Sequence, residues 1–204
     1  MVEATGLILA GGKSRRMGVD KAFLEVGNEA MIESVAAKLK TVFSEILICG
    51  GNRENGSRLG LRVVSDIVEG GGPLSGIHAG LIQGKYQKCF VTACDMPFVN
   101  ARLAEFMVKQ AEGYDIAVPC HGSYLQPLFA VYDKSCLPAI SETLKASRYK
   151  VVDFYPRVRV NYVNGECLRR FADTEVVFFN VNTPVDLDRA RDLARKKKNE
   201  GVRD

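Results

Sequence analysis

Two glycines and several cations follow the first apolar run of the chain. Leu7–Leu9 is unbroken and apolar, and it is closely followed by Gly11 and Gly12. Arg16 and Lys21 come within the next ten positions. Glycine lets the backbone turn sharply and approach a ligand without an intervening Cβ. Backbone N–H groups displayed in this way, with cations close behind, suit the negative oxygens of a phosphate chain. These residue types at this spacing predict a loop that binds a nucleoside triphosphate.

Two well-known glycine-rich loops do not fit this stretch. Gly12-Lys13-Ser14 matches the end of a Walker loop, but the first glycine of that motif would fall at Leu7. The dinucleotide pattern Gly-x-Gly-x-x-Gly does not fit Gly11, Gly12 and Gly18 either. A plain glycine-rich turn with solvated arginines remains the alternative interpretation.

Asp95 is the candidate metal ligand. It comes directly after the apolar stretch Cys89–Ala93 and Cys94, and it precedes Met96-Pro97. Mg²⁺ prefers carboxylate oxygen together with phosphates and water, so an aspartate at the tip of a strand is suited to it. An ordinary turn aspartate is the alternative. Considered together with the predicted phosphate-binding glycine loop, the metal role is favoured.

Strands, glycine-containing loops and helices alternate through the first half of the chain. Apolar runs predict strands, and apolar residues at helical spacing predict helices. Strands are expected at Leu7–Leu9, Glu45–Cys49, Leu61–Ser65 and Cys89–Ala93, and helices at Glu29–Val42, from Pro73 to about Gln83, and at Ala101–Glu112. This alternation predicts a parallel sheet with helices on both faces. Because ligands bind beyond the carboxyl ends of such strands, one rim should collect Gly11, Gly50, Asp66 and Asp95.

The second half is less regular. The expected elements are a strand at Asp115–Pro119, a loop at Cys120–Leu125, a strand at Gln126–Tyr132 that begins near Pro127, a helix at Lys134–Ala146, a strand at Arg157–Val163, and a last helix with Thr183 as cap and Pro184 at its first position. That helix should decay into a basic, solvated polar tail at about residues 195–204. Residues 1–204 are expected to form a single domain.

The composition is that of an ordinary globular chain. It has 204 residues, 47% of them hydrophobic, and a formal charge of +4. The mild charge and the absence of tryptophan argue against nucleic acid as a partner. No signal peptide and no apolar run of membrane-spanning length is visible, so a cytoplasmic protein with no membrane partner is expected. The six scattered cysteines and two histidines make a zinc site improbable.

The opening motif resembles that of a known family. Leu9-Ala10-Gly11-Gly12-x-x-x-Arg16-Met17-Gly18-x-Asp20-Lys21 is similar to the signature of molybdenum cofactor guanylyltransferases, and more broadly to that of sugar-phosphate nucleotidyltransferases. The resemblance implies a three-layer α/β/α, Rossmann-like fold with a mostly parallel twisted sheet. It also implies nucleotide binding at Leu9, Ala10, Gly11, Gly12, Lys21 and Asp95, with Mg²⁺ on Asp95. Arg16, Lys21 and Asp95 would be catalytic.

Two further motifs extend the resemblance. Gly72-Pro73-Leu74-Ser75-Gly76-Ile77 resembles a family element, which implies that Asp66 contacts the guanosine and that Gly72, Pro73, Leu74, Ser75 and Gly76 line the purine pocket. A helix packed tightly through small residues is the alternative. The glycines at 50 and 51 stand where some relatives have an asparagine that touches the base, and only Asn52 is near that position. Whether this loop contacts guanine through Asn52 or Gly50 is therefore left open by the resemblance.

The last two motifs bear on the acceptor. The block that begins at Gln126 and the closing Asn180-Val181-Asn182-Thr183-Pro184 resemble family elements, which implies acceptor binding by Gln126, Asn180 and Asn182. The alternative is a structural strand-to-helix turn capped by Asn182 and Thr183.

The resemblance implies a Mg²⁺-dependent transfer of GMP from GTP to the terminal phosphate of molybdopterin, with release of pyrophosphate. Cofactor-insertion proteins and molybdoenzyme chaperones are candidate partners. Three alternatives remain open: a relative that uses CTP, a relative that acts on a sugar phosphate, and a non-catalytic adapter that binds a nucleotide and delivers the cofactor.

Overall fold

The computed structural model describes residues 1–11, 21–51, 53–121 and 123–200. Its strands are β1 Val2–Leu9, β2 Glu25–Val26, β3 Glu29–Ala30, β4 Phe43–Cys49, β5 Arg62–Val64, β6 Lys88–Ala93, β7 Ile116–His121, β8 Tyr124–Leu125, β9 Phe129–Asp133 and β10 Val160–Asn164. Its helices are α1 Met31–Lys40, α2 Arg53–Leu59, α3 Gly72–Gln83, α4 Ala101–Gln110, α5 Leu137–Lys145, α6 Gly165–Arg169, α7 Thr174–Val177 and α8 Pro184–Glu200. Short 3-10 helices lie at Lys21–Phe23, Lys134–Cys136 and Val151–Arg157.

The central sheet has eight strands and is mostly parallel, as the sequence predicts. Seven strands follow the order β10-β7-β9-β6-β1-β4-β5, and β8 pairs with β7. Strand β1 is parallel to both of its neighbours, with Leu9 opposite Cys49 of β4 and Ala93 of β6. Strand β9 runs antiparallel to β6 and β7. The carboxyl ends of β1, β4, β5 and β6 therefore lie along one edge.

The two faces of the sheet carry separate cores, which gives three layers. On one face Ile8 packs in a cluster that includes Val35 of α1 and Met107 of α4. On the other face Leu7 packs in a cluster that includes Ile77 of α3 and Ile140 of α5. Successive residues of β1 point to opposite faces, so an unbroken apolar run is what a strand covered on both sides requires.

A third, smaller apolar cluster joins the last helix, α8, to β2 and the start of α1. Val26 and Met31 are buried together with Phe98, Val181 and Leu187. This contact brings the start of α8 to the tip of β6. No described helix is long and apolar enough to cross a membrane.

Several predicted boundaries are wrong. Helix α1 starts at Met31 rather than at Glu29, because Glu29–Ala30 pairs with Glu25–Val26 as a small hairpin. Strand β9 starts at Phe129 rather than at Gln126, and Val151–Arg157 is a 3-10 helix, so β10 starts only at Val160.

Three further differences concern elements that the apolar pattern misses. Residues 120–125 are not a plain loop, since Cys120 pairs with Leu125 across β7 and β8. Helix α2 was not expected, because its sequence is polar and contains a glycine. Helix α8 continues to Glu200 instead of decaying near Arg195, and the rest of the tail lies outside the described residues.

Candidate active site

The glycine turns after β1 and β4 lie in direct contact. Ala10 donates its N–H to the carbonyl of Cys49 (2.9 Å), and Gly50 donates to Val64 (3.0 Å). Gly50 has φ +72°, and a Cβ there would lie 2.7 Å from the Cα of Gly11. A side chain at position 50 would therefore collide with the backbone of the first loop. Glycine at this crossing therefore allows the two backbones to lie close together.

Asp66 follows β5 and faces the same crossing. Its Oδ2 is 3.9 Å from the position that a Cβ on Gly11 would occupy, and its Oδ1 is 3.6 Å from the equivalent position on Gly76. Oδ1 is buried and accepts no hydrogen bond from the described residues. Burial raises the pKa of the Asp66 carboxyl. An unpaired buried acceptor is costly, so this oxygen is suited to receive a donor from a ligand.

The start of α3 borders Asp66, but most of its side chains serve the core. Leu74 and Ser75 are fully buried. The Ser75 hydroxyl donates to the carbonyl of Val68 (2.8 Å) and accepts from its N–H (3.2 Å). A Cβ on Gly76 would lie 3.1 Å from Leu9. Tight packing through small residues is therefore observed, and nucleotide contact at Gly72, Pro73, Leu74, Ser75 and Gly76 stays a prediction.

Lys21 is the meeting point of three distant segments. Its Nζ lies 3.0 Å from Oδ2 of Asp95, at the end of β6, and 3.0 Å from Oδ1 of Asn182, before α8. The Lys21 and Asp95 side chains are only 13% and 22% exposed. The predicted catalytic lysine and the predicted metal ligand are thus an ion pair at the shared rim.

The segment that carries Asn182 is held on both sides. The carbonyl of Asp95 accepts a hydrogen bond from the N–H of Val181 (2.9 Å). One carboxylate oxygen of Asp186 accepts from the N–H groups of Asn182 (3.0 Å) and Thr183 (2.8 Å) and from the Thr183 hydroxyl (2.9 Å). These bonds, the hydroxyl one first, lower the pKa of Asp186. The Thr183 hydroxyl in turn accepts from the N–H of Asp186 (3.2 Å), so the expected cap is confirmed as a reciprocal one.

Gln126 and Asn180 line one cavity of about 480 Å³. The family resemblance groups both as acceptor-binding residues, and the structure brings them together although they are 54 positions apart in the chain. The walls also include the aromatic residues Tyr124, Phe178 and Phe179, the cations Arg169 and Arg189, and one acidic residue, Glu175. The guanidinium of Arg189 lies 5.2 Å from the ring centre of Phe179. The cavity therefore offers flat apolar surfaces, amide groups and positive charge to one ligand.

Arg169 and Arg189 could not be identified as site residues from the sequence. Neither stands in a recognisable motif, and both contribute through the packing of α6 and α8 around the cavity. The adjacent Phe178 and Phe179, directly before Asn180, were the one visible signal. Gly12, Arg16 and Asn52 lie outside the described residues.

Comparison with known proteins identifies the family. The model of the MobA-like NTP transferase domain matches residues 6–158. A protein of Pelotomaculum thermopropionicum named "Probable molybdenum cofactor guanylyltransferase" is 63% identical over 198 residues, which cover 97% of each chain. This chain belongs to the MobA-like NTP transferases.

Other members of the MobA-like family agree with this assignment. A protein of the same name from Carboxydothermus hydrogenoformans is 37% identical over 93% of this chain and 95% of its own. The crystal structure of molybdopterin-guanine dinucleotide biosynthesis protein A from Archaeoglobus fulgidus is 30% identical, with a TM-score of 0.83, and the match covers 94% of this chain and 99% of that one. The resemblance first seen in the opening motif is confirmed, and so is the expected three-layer fold.

Proposed function

We propose that this protein transfers GMP from GTP to the terminal phosphate of molybdopterin and releases pyrophosphate. The observation that carries the proposal is the ion pair between Lys21 and Asp95 at the rim of the sheet, where Gly11 and Gly50 also lie. Lys21 also contacts Asn182, and Asn180, two positions earlier in the chain, lines the cavity with polar and aromatic walls. The names of the relatives from Pelotomaculum and Carboxydothermus support the same reaction.

The nucleotide would occupy the rim formed by β1, β4 and β5. Gly11 and Gly12 would cradle the triphosphate, since glycine allows the backbone N–H groups to approach the phosphates closely. Asp66 would accept hydrogen bonds from the N–H groups of guanine, because its buried Oδ1 lacks a partner among the described residues. Asp66 lies beside the Gly11–Gly50 crossing, so the base and the triphosphate would be bound at the same rim.

In the reaction, an oxygen of the acceptor phosphate forms a bond to the α-phosphorus of GTP. The bond from that phosphorus to the bridging oxygen of the β-phosphate breaks, and pyrophosphate leaves. This chemistry needs positioning and charge stabilisation more than proton transfer. Lys21 and Arg16 would stabilise the charge that develops on the α-phosphate and on the leaving group.

As a carboxylate at the proposed phosphate site, Asp95 suits Mg²⁺ shared with a substrate. Among the described residues no group of three or more histidine, cysteine, aspartate or glutamate side chains could form a metal cage. Mg²⁺ is commonly held by one or two carboxylates together with phosphates and water, so a single aspartate at the phosphate site is an appropriate ligand. Asp95 would hold the ion, which supplies neutralisation of phosphate charge.

The acceptor would lie in the cavity lined by Gln126 and Asn180. Their amides can pair with the mixed donors and acceptors of a pterin. Phe179 with the guanidinium of Arg189 over it offers a flat surface for a ring. Arg169 and Arg189 match an anionic acceptor.

The test compares GTP and CTP at equal concentration with molybdopterin, with Mg²⁺ and after its removal by EDTA, and measures pyrophosphate release. The proposal predicts release that requires GTP, molybdopterin and Mg²⁺ together. Release with CTP would assign the protein to cytidylyl transfer and contradict the role of Asp66. GTP binding without release would favour a different phosphorylated acceptor or a nucleotide-binding adapter.

A further inference from the structure

The ammonium group of Lys21 is held from two sides by oxygens of different charge. Asp95 supplies a carboxylate oxygen and Asn182 a neutral amide oxygen, each 3.0 Å from Nζ. A lysine side chain has four flexible bonds and a compact charge, so a single partner leaves its direction poorly defined. A second acceptor, on another segment of the chain, fixes that direction.

The backbone that carries the Asn182 side chain is in turn held by its surroundings. The Asp186 carboxylate accepts hydrogen bonds from the backbone N–H groups of Asn182 and Thr183. The backbone N–H of the neighbouring Val181 donates to the backbone carbonyl of Asp95. The same short segment therefore contacts Asp95 through its backbone and Lys21 through a side chain. Its position is tied to the backbone of Asp95, the residue whose carboxylate Lys21 contacts.

We propose that Asn182 is a positioning residue for Lys21, and that Asp186 holds Asn182 in place for this task. The inference rests on the proposed function, because it assumes that Lys21 stabilises the phosphates. It gives Asn182 a role distinct from contact with the acceptor, whereas Asn180 faces the cavity.

The neutral character of the amide is part of the argument. A second carboxylate beside Lys21 would hold the ammonium equally well, but it would add negative charge where a triphosphate must bind. An amide oxygen orients the ammonium without that penalty. Asn182→Asp keeps the size and the acceptor oxygen, and aspartate is also well tolerated in turns and caps. A purely structural role would therefore survive this substitution, and the positioning role would not.

The first experiment is a double-mutant cycle on guanylyl transfer with Lys21→Ala and Asn182→Ala, separately and combined. A hydrogen bond to a charged group predicts a fall in kcat of about ten- to a hundredfold for Asn182→Ala, with the KM for molybdopterin little changed. In the Lys21→Ala background, Asn182→Ala should cause almost no further loss. Asn182→Asp should also lower kcat. Asn161→Ala, which removes an amide bonded to the Gln110 carbonyl from edge strand β10, is the matched control with normal kcat.

Multiplicative losses in the cycle, or a raised KM for molybdopterin with normal kcat, would overturn the proposal in favour of direct acceptor contact. Normal kcat in Asn182→Asp would overturn it in favour of a structural turn.

The second experiment does not depend on activity. The folded protein is treated with an amine-reactive reagent, and modification of Lys21 is followed by peptide mass spectrometry relative to Lys109, whose side chain is 62% exposed. Asn182→Ala and Asp186→Ala should raise the relative rate at Lys21 several-fold, while Asp188→Asn, on the exposed side of the same helix, should not. An unchanged rate in both variants would overturn the proposal. If the wild type transferred no GMP, the proposed function would fail while this measurement still decided how Lys21 is held.

Discussion

At the scale of single residues, the site depends on two kinds of constraint. Lys21 is defined by polar contacts with residues 74 and 161 positions away. Position 50 requires glycine, because any Cβ there would collide with the backbone of Gly11. The polar contacts position the charged groups of the site, and the glycine contact allows the two loops beside them to approach closely.

Gly50→Ala should disturb both the fold and the nucleotide site. Gly50 has a positive φ, which costs an alanine about 1–2 kcal/mol, and the collision with Gly11 should add about 1–3 kcal/mol. Gly113→Ala is the matched control, because Gly113 has φ +78° and nothing within 4 Å of its would-be Cβ. Urea unfolding and GTP titration of both variants measure the difference. Equal loss of stability, with GTP binding unaffected in either, would show that the close approach is unimportant.

At the scale of elements, the start of α8 is the piece that completes the site. Its reciprocal cap between Thr183 and Asp186 fixes the segment that reaches Asp95 and Lys21. Leu187 and Val181, on either side of this turn, are buried in one apolar cluster with Met31 and Phe98. The element is thus positioned by both polar and apolar contacts.

Thr183→Ala should lower the free energy of unfolding by about 1 kcal/mol, because it removes the capping hydroxyl. Thr183→Ser keeps that hydroxyl and should stay close to the wild type. Thermal or urea unfolding of the two variants provides the comparison. If serine were as destabilising as alanine, the methyl group rather than the cap would be responsible.

Which parts of this arrangement the sequence could predict depends on how local the signal was. Apolar runs stopped by glycine or aspartate identified the four strands that carry Gly11, Gly50, Asp66 and Asp95. The antiparallel direction of β9 had no local signal, since the alternation of its residues is the same in either direction. The polar helix α2 gave no apolar periodicity at all.

The same distinction holds for the site. Single motifs predicted Lys21, Asp95 and Asn182 as functional residues. That Asn182 would contact Lys21 could not be predicted, because it depends on the docking of α8 against the tip of β6, which is a property of the packed molecule.

At the scale of the whole molecule, the edge strand β10 is held to the sheet by an ion pair at its start as well as by its backbone pairing with β7. Asp115, just before β7, accepts from the backbone N–H of Arg159 (2.9 Å), from its guanidinium (3.1 Å) and from the Ser135 hydroxyl (2.8 Å). The guanidinium bond, first among these causes, lowers the pKa of Asp115 to about 2.

This contact predicts a dependence of stability on pH. The pKa of Asp115 is lower in the folded protein than the ordinary value of 3.8, so its contribution is complete above about pH 4 and is lost as the pH falls towards 2. Asp115→Asn should be less stable than the wild type at pH 6, and the gap should narrow at pH 3. Urea midpoints at both values measure it, with the exposed Asp192→Asn as control. A gap that is the same at both values would exclude the Asp115 carboxylate as its source.

The measurement that tests the central claim most directly is transfer of GMP from α-labelled GTP to molybdopterin by the wild type and by Lys21→Ala. The wild type should label molybdopterin in step with pyrophosphate release. The variant should stay folded and bind GTP but transfer the label at least about a hundredfold more slowly, as expected for loss of a group that stabilises transition-state charge. Equal transfer by the two proteins, or no labelled molybdopterin from the wild type, would contradict the account.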